Sequence, residues 1–441
     1  MPAEPVGRAR RLRVTILGGH YAPEPTGNAP YTAGLAQGLA ARGHDVRVIT
    51  THPHYPEWRV RDGYGGWNVH EEIRGVRVRR LAHYVPANPS GLRRLLSELS
   101  LGLRYLATRW HRPDVVLLVS PNMFSTAAAA LRTRWSRRLA AGIWVQDIYS
   151  LGVLETGQGG KTVARFIRAV ESVTLRSATG VAVIHERFRD FAAGRLGIPV
   201  GQLEVIRNWS HVPSVPEVDR AAVRRLMGWA ADETVVLHAG NMGVKQGLEN
   251  VVEAALLADR QQAPVRFVLL GDGNQRERIQ AHASGLRSVQ FVAPLPDLEF
   301  AQVLASADIL LVNERAGMRE MSVPSKLTSY FATSLPVLAA TDEASVTAAE
   351  IEASGGGLRV DAGDPAALLR AALTLRGDPV SARRLGAAGH RYRNEVLTES
   401  AALDHFERWL AGLAQRRPTP PGPRHRAAYR RRGYYTHVSA R

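Results

Sequence analysis

The chain contains 441 residues, of which 45% are hydrophobic and 22% are charged, a composition that can fill two domains with complete cores. It contains no cysteine, which excludes disulfides, thiolate nucleophiles and cysteine-based metal sites. The formal net charge of +17 favours anionic partners such as nucleotides or membrane phosphates, with nucleic acid the weaker alternative. No apolar run approaches the roughly 20 residues that a membrane-spanning helix needs.

Short apolar segments alternate with helical segments through the first half of the chain. Apolar residues recur at helical spacing over 29–41 and 161–177. The segments between and around them are bounded by turn residues and are typical of strands: RVTILG, DVRVIT, DVVLLVS, AGIWVQ and GVAVI. Continuously apolar strands that alternate with helices indicate a parallel sheet covered on both faces.

The same alternation starts again after a proline-containing stretch at 208–216. Its strand candidates are TVVLHAG, RFVLLGDG, SVQFVA, DILLV and PVLAA. We therefore predict an α/β fold with two doubly wound, Rossmann-like domains, at 10–207 and 217–395. A C-terminal helix at about 398–414 is expected to pack back on the first domain. Residues 415–441 combine arginines with prolines and are predicted to be a disordered basic tail.

Ligands of open parallel sheets bind beyond the carboxyl ends of the strands, which directs attention to the segments that follow them. In the second half, glycines there allow backbone N–H groups to approach a phosphate. Lys326 stands in the first turn of a predicted helix, where a cation opposes the helix dipole and indicates an anionic ligand nearby. An exposed surface lysine is the alternative. The strand-end candidates are Gly240, Asn241, Met242, Gly243, Gly271, Asp272, Gly273 and Ala293.

Polar residues also follow strands of the first half. Asp147 comes after AGIWVQ and could orient or deprotonate an acceptor hydroxyl group, or could merely cap a helix. Four histidines lie at or near strand ends: His20, His52, His54 and His185. Because no histidine and carboxylate cluster at ligand spacing is evident and cysteine is absent, we predict no metal site.

Several segments, in this order, resemble the GT-B retaining glycosyltransferases of family 4. They are YAPEPTGNAPYTAGLAQGLAARGHDVRVIT, WVQDIYSLGVLETG, GNMGVKQGLENVVEAA and VPSKLTSYFATSLPVLAA. The resemblance extends over residues 13–413 and is strongest to the colanic-acid and O-antigen subgroup, whose members transfer fucose-like sugars. It implies a GT-B fold in which two domains face a central cleft.

The resemblance also implies a function and a division of labour. A hexosyl residue, such as a fucose-like sugar, would pass from a nucleotide-diphosphate sugar to a lipid-linked or polysaccharide acceptor with retention of configuration, in cell-surface polysaccharide biosynthesis. The second domain would bind the donor and the first the acceptor, with no cofactor beyond the donor and no nucleic acid. Lys326 and Asp147 would be catalytic. Lys245, Gln246, Ser325 and Ser329 would join the donor residues listed above, and Gly27 and Asn28 would contact the acceptor.

This chain lacks two glutamates that many family members carry with seven residues between them. Their positions fall on Met321 and Ser329. Two other functions remain open at this stage: a sugar-nucleotide 2-epimerase, which uses the same architecture, and a non-catalytic protein that binds polyanions through the arginine tail.

The segment SGLRRLLSELSLGLRYLATRW carries a leucine stripe beside arginines. It could be an ordinary core-packed helix with a solvated basic face, or a surface that docks on anionic lipid headgroups. We accordingly expect a cytoplasmic protein that contacts the inner face of the plasma membrane peripherally.

Overall fold

A computed structural model describes residues 11–24, 27–89, 91–136, 139–151, 160–209, 218–317 and 325–416. Two parallel sheets organise this part of the chain. Their strands are short, and the central ones are largely buried, whereas the edge strands are partly exposed. In the first sheet they are β1 (Arg13–Leu17), β2 (Asp45–Thr51), β3 (Asn68–Ile73), β4 (Val76–Leu81), β5 (Val115–Val119), β6 (Ala140–Val145), β7 (Gly180–Val183) and β8 (Leu203–Val205).

The first sheet has the order β3-β4-β2-β1-β5-β6-β7-β8, and only β3 runs antiparallel to its neighbour. All five residues of β5 and all six of β6 are buried, as continuous apolar runs between two helical layers require. The helices that follow strands of this sheet are α1 (Ala29–Ala41), α2 (Gly91–Ala107), α3 (Met123–Trp135), α4 (Gly160–Ser177) and α5 (Glu186–Leu196).

The second sheet is wholly parallel, in the order β11-β10-β9-β12-β13-β14. Its strands are β9 (Thr234–Ala239), β10 (Val265–Leu270), β11 (Val289–Val292), β12 (Ile309–Asn313), β13 (Val337–Ala340) and β14 (Gly357–Val360). Its helices are α6 (Arg220–Met227), α7 (Glu249–Gln261), α8 (Arg276–His282), α9 (Asp297–Ser306), α10 (Ser325–Phe331), α11 (Val346–Ser354), α12 (Pro365–Gly377) and α13 (Pro379–Val396). Separate apolar clusters cover its two faces.

The last described helix, α14 (Glu399–Gln415), returns to the first sheet, where Phe406 is completely buried against Trp144. Glycines in the sheet make room for it. A Cβ atom on Gly142 would lie 2.7 Å from Cη2 of Trp409, and one on Gly180 would lie 2.7 Å from Cδ2 of Leu413. The core of the first domain is therefore completed by residues some two hundred positions further along the chain.

The predicted fold class, two Rossmann-like domains with parallel sheets, is confirmed. No helix among the described residues is long and apolar enough to span a bilayer. Residues 417–441, most of the predicted basic tail, lie outside the described residues, as does the stretch 210–217 between the domains.

Candidate active site

Lys326 lies at the carboxyl edge of the second sheet, half-buried in the first turn of α10. Its Nζ is 2.8 Å from Nε2 of His238, and a Cβ atom on Gly240 would lie 3.3 Å from its Cε. Burial lowers the pKa of Lys326 to about 7, while the carboxylate of Glu314 acts in the opposite direction. The pKa of His238 is also far below its ordinary value, because it is buried beside Lys326. His238 is thus a neutral imidazole that can accept a hydrogen bond from the ammonium group.

Two glycine loops meet next to Lys326 without intervening side chains. Gly240 and Gly271 have φ values of +116° and +135°, and a Cβ atom on Gly271 would lie only 2.0 Å from the carbonyl oxygen of Gly240. The Met242 N–H donates to the Asp272 carbonyl at 2.8 Å. The Gly243 N–H donates to Oε1 of Gln246 at 3.0 Å. Only glycine allows this backbone-to-backbone approach, which leaves a surface suited to a phosphate.

The structure brings most of the predicted donor residues to this edge. Asn241, Lys245 and Asp272 are exposed on the two loops, whereas Met242 is buried beneath them. Ala293 is exposed just after β11. Ser329 is buried within α10. Ser325 begins α10, but its side chain, like all of Met321, lies outside what the structure describes.

The predicted acceptor residues are linked by hydrogen bonds across three loops of the first domain. Nδ2 of Asn28 donates to the Ser120 carbonyl at 2.8 Å, and Oγ of Ser120 donates to the Asp147 carbonyl at 3.2 Å. Gly27 precedes them with φ of +67°. These contacts follow from the strand order, because β1, β5 and β6 are neighbours in the sheet.

Asp147 lies where the two domains face each other. Partial desolvation of the Asp147 carboxyl group by the protein atoms of the cleft raises its pKa to about 6. The positive charges of Lys245 and Arg94 act in the opposite direction. The group nevertheless stays open to solvent. It can therefore exchange a proton near neutral pH and still reach a bound hydroxyl group.

The two domains contact each other on both sides of this cleft. The side chain of Tyr31 faces Thr328, which stands two residues after Lys326. Elsewhere, the Arg207 guanidinium pairs with Glu186 and with Glu350 of α11, and Nε2 of His185 lies 3.0 Å from the same Glu350 carboxylate. The described geometry gives His185 this bridging role, since its Nδ1 also accepts a hydrogen bond from the Arg187 N–H at the start of α5.

Known families match both halves of the chain. Residues 26–209 match the glycosyl transferase 4-like domain, and residues 233–378 match the glycosyl transferases group 1. WcaI of Escherichia coli K12, a glycosyl transferase assigned to colanic acid biosynthesis, is 33% identical over 337 residues, which cover 73% of this chain and 81% of WcaI. The chain belongs to the GT-B glycosyltransferases of family 4. The predicted resemblance to their colanic-acid subgroup is confirmed.

Solved structures share the fold at low identity. Sucrose-phosphate synthase from Thermosynechococcus elongatus superposes with a TM-score of 0.69 at 19% identity, covering 91% of this chain and 99% of the synthase. HepE of Anabaena, solved in complex with UDP, superposes with a TM-score of 0.66 at 15% identity, covering 91% of this chain and all of HepE (100%).

Sequence reasoning missed a cluster in the first domain of the glycosyltransferase. His20, Glu24 and His54 approach one another, although no motif in the sequence joins them. They come together because the loops after β1 and β2 are adjacent. His20 and His54 line a small cavity of about 20 Å³ with Trp58, His83, Arg94 and Asn122.

Proposed function

We propose that this glycosyltransferase moves a hexosyl residue from a nucleotide-diphosphate sugar to a lipid-linked or polysaccharide acceptor, with retention of configuration. The observation that carries the proposal is the position of Lys326. It is held beside two glycine loops, at the edge of the donor domain that meets the acceptor domain through Thr328 and Tyr31. The likeness to WcaI supports a role in cell-surface polysaccharide biosynthesis.

The reaction breaks the bond between the anomeric carbon and the diphosphate oxygen and forms a new bond to an acceptor oxygen on the same face. Lys326 would stabilise the negative charge that develops on the leaving diphosphate, and the absence of side chains at Gly240 and Gly271 would let the diphosphate approach it closely. Asp147 would orient the acceptor hydroxyl group, whose proton passes to the departing phosphate oxygen. No cofactor beyond the donor is needed for these steps.

A donor screen tests the proposal. UDP-, GDP- and dTDP-sugars, GDP-fucose among them, are added separately to the full chain and followed by saturation-transfer NMR. We expect one nucleotide class to bind, with the base and ribose protons closest to the protein. Incubation without acceptor should leave the sugar unchanged, whereas conversion to a 2-epimer would overturn the transferase proposal. With acceptor, the anomeric coupling in the product reports whether configuration is retained.

The acceptor domain also presents an apolar surface that suits a membrane. The leucine stripe of α2 faces solvent, because Ser97, Glu98 and Leu101 occupy the inner side of the helix. The neighbouring helices α3 and α4 extend this surface, with Trp135 and Phe166 exposed at 73% and 60%. Its large apolar members are Leu92, Leu96, Leu99, Leu103, Leu131, Trp135, Val163, Phe166 and Val173. Exposed patches of this kind mark binding surfaces.

The charge of this surface supports an anionic bilayer as its partner. Exposed arginines stand among the apolar residues: Arg93, Arg109, Arg134, Arg165 and Arg168. A helix with apolar and cationic residues on one exposed side binds shallowly at the headgroup level. Not every arginine of this region takes part, because Arg132 points inward and donates to the carbonyls of Tyr105 and Leu106. The alternative interpretation, in which the leucine stripe packs into the core, is wrong for Leu92, Leu96, Leu99 and Leu103, because these side chains are exposed.

Liposome cosedimentation tests the membrane contact. We expect binding to vesicles that contain phosphatidylglycerol, loss of binding to phosphatidylcholine vesicles, and reversal at about 1 M salt, where the Debye length falls to about 3 Å. Replacing Leu103 and Trp135 with serine should weaken binding, whereas the same change at Leu226 and Val380, exposed at 85% and 69% in the donor domain, should not. Equal weakening by both pairs would contradict the assignment.

A further inference from the structure

Three ligand-type side chains converge at the carboxyl edge of the first sheet. Nδ1 of His20 lies 2.8 Å from Oε2 of Glu24, and Nδ1 of His54 lies 3.7 Å from Oε1 of the same carboxylate. One ligand atom from each of the three residues lies within 4.8 Å of the others. The acceptor and donor chemistry described above uses none of them.

The carboxylate at the centre of this cluster is fixed in place. Glu24 is almost completely buried, and its Oε1 accepts hydrogen bonds from the N–H groups of His54 and Tyr55 at 2.8 and 2.9 Å. A buried carboxylate is costly unless it is paired with positive charge as well as hydrogen-bonded. Among the described residues, the imidazole rings of His20 and His54 are the groups that bear on it most closely.

We propose that His20, Glu24 and His54 bind a divalent transition metal ion, with Zn²⁺ the best match. Two imidazoles and one carboxylate form a ligand set that Zn²⁺ uses where one coordination position stays open, whereas Mg²⁺ and Ca²⁺ prefer oxygen ligands throughout. The open position would face the cavity that His20 and His54 line, where a water molecule or a substrate oxygen has room.

Small rearrangements complete the coordination. Bonds of 2.0–2.1 Å place tetrahedral ligand atoms about 3.4 Å apart. The ligand atoms now lie within 4.8 Å of one another, so the cluster must contract by up to roughly an ångström, while His20, at 2.8 Å from the carboxylate, moves slightly away from it. Nδ1 of His54 now lies 2.9 Å from the His52 carbonyl, and coordination through this atom moves the ring proton to Nε2. The metal ion would then join the loops after β1 and β2, both of which line the cavity.

Metal titration of the full chain tests the site, with transferase activity left out of the readout. The protein is stripped with a chelator and titrated with Zn²⁺, and with Co²⁺ as a spectroscopic probe. We expect one tightly bound ion and the intense visible absorption of tetrahedral Co²⁺. Glu24→Gln keeps the shape of the side chain but removes its charge, and should weaken binding of both ions at least tenfold.

A second histidine and glutamate pair provides the matched control. Nε2 of His282 lies 3.0 Å from Oε1 of Glu253 on the exposed surface of the donor domain. Glu253→Gln should bind both ions as the wild type does. If Glu24→Gln fails to fold by circular dichroism, His20→Asn replaces it, since His20 lies at the edge of the cavity. Absence of a stoichiometric Zn²⁺ ion in the wild type, or equal affinity in the Glu24 or His20 variant, overturns the proposal.

Discussion

The two domains build their facing edges by opposite means. In the proposed donor domain, the centre of the edge is built from backbone: Gly240 and Gly271 touch without side chains, and Lys326 lies beside them. In the proposed acceptor domain, the edge carries ionisable side chains, among them Asp147, whose pKa is raised to about 6. The diphosphate group is the same in every nucleotide sugar, so one fixed backbone surface could accept it from any of these donors. An acceptor offers hydroxyl groups in varied geometry and needs side chains that can adapt.

Lys326 carries the largest effect predicted from this comparison. Lys326→Met removes the charge but keeps the length of the side chain, and we expect turnover to fall at least tenfold, since charge placed at a leaving group is worth more than about 1.4 kcal/mol. Steady-state kinetics measure it. Arg225→Met, at an exposed cation of the same domain, is the control and should leave turnover unchanged. If the folded Lys326→Met variant kept the turnover of the wild type, the catalytic role of Lys326 would be wrong.

Asp147 tests the acceptor half of the comparison. Asp147→Asn keeps the shape but loses the carboxylate, so we expect transfer to the acceptor to fall about tenfold or more while donor affinity changes less than twofold. Calorimetry with the donor and initial rates with varied acceptor separate the two quantities. An equal loss of donor affinity would place Asp147 on the donor side of the cleft.

The pH profile distinguishes the two edges within one experiment. Asp147, with a pKa of about 6, gains its negative charge as pH rises through 6. Lys326, with a pKa of about 7, loses its positive charge as pH rises through 7. We therefore expect kcat/KM to follow a narrow bell with its maximum between these values, several-fold above the rates at pH 5 and pH 8.

A separate variant tests each limb of this bell-shaped pH profile. Lys326→Arg keeps its charge throughout and should remove the alkaline limb, while Asp147→Asn should remove the acid limb. Retention of both limbs in both variants would show that other groups titrate.

The smallest predicted effect concerns the core that supports the acceptor edge. Gly142→Val places atoms where Trp409 and Leu413 of α14 pack, and overpacking of this kind costs about 1–3 kcal/mol of unfolding free energy. Gly412→Ala is the control within α14, because a Cβ atom there meets nothing within 4 Å. That change should stabilise the helix by roughly 0.5–1 kcal/mol. Urea unfolding followed by tryptophan fluorescence measures both, and a neutral Gly142→Val would mean that α14 packs loosely.

The features that sequence could predict are local ones. Apolar runs such as Val115–Val119 indicate buried strands by themselves, and Gly240 and Gly271 lie at the strand ends where the sequence places them. The histidine and glutamate cluster could not be foreseen, since it depends on β1 and β2 being neighbours and on loops whose paths no spacing rule gives. The sequence also could not predict whether the leucine stripe faces the core or the solvent. A helical period shows that one side is apolar, but not that Glu98 faces the core and Leu103 the solvent.

The return of α14 to the first sheet has a consequence for synthesis of the protein. While the ribosome is still translating the second domain, the sheet surface around Gly142 and Trp144 has no helix to cover it. The nearly complete first domain would therefore expose an apolar surface that chaperones can bind, until Phe406 and Leu410 leave the ribosome. A fragment ended after β8 should aggregate for the same reason, and supplying α14 as a separate peptide should rescue its solubility.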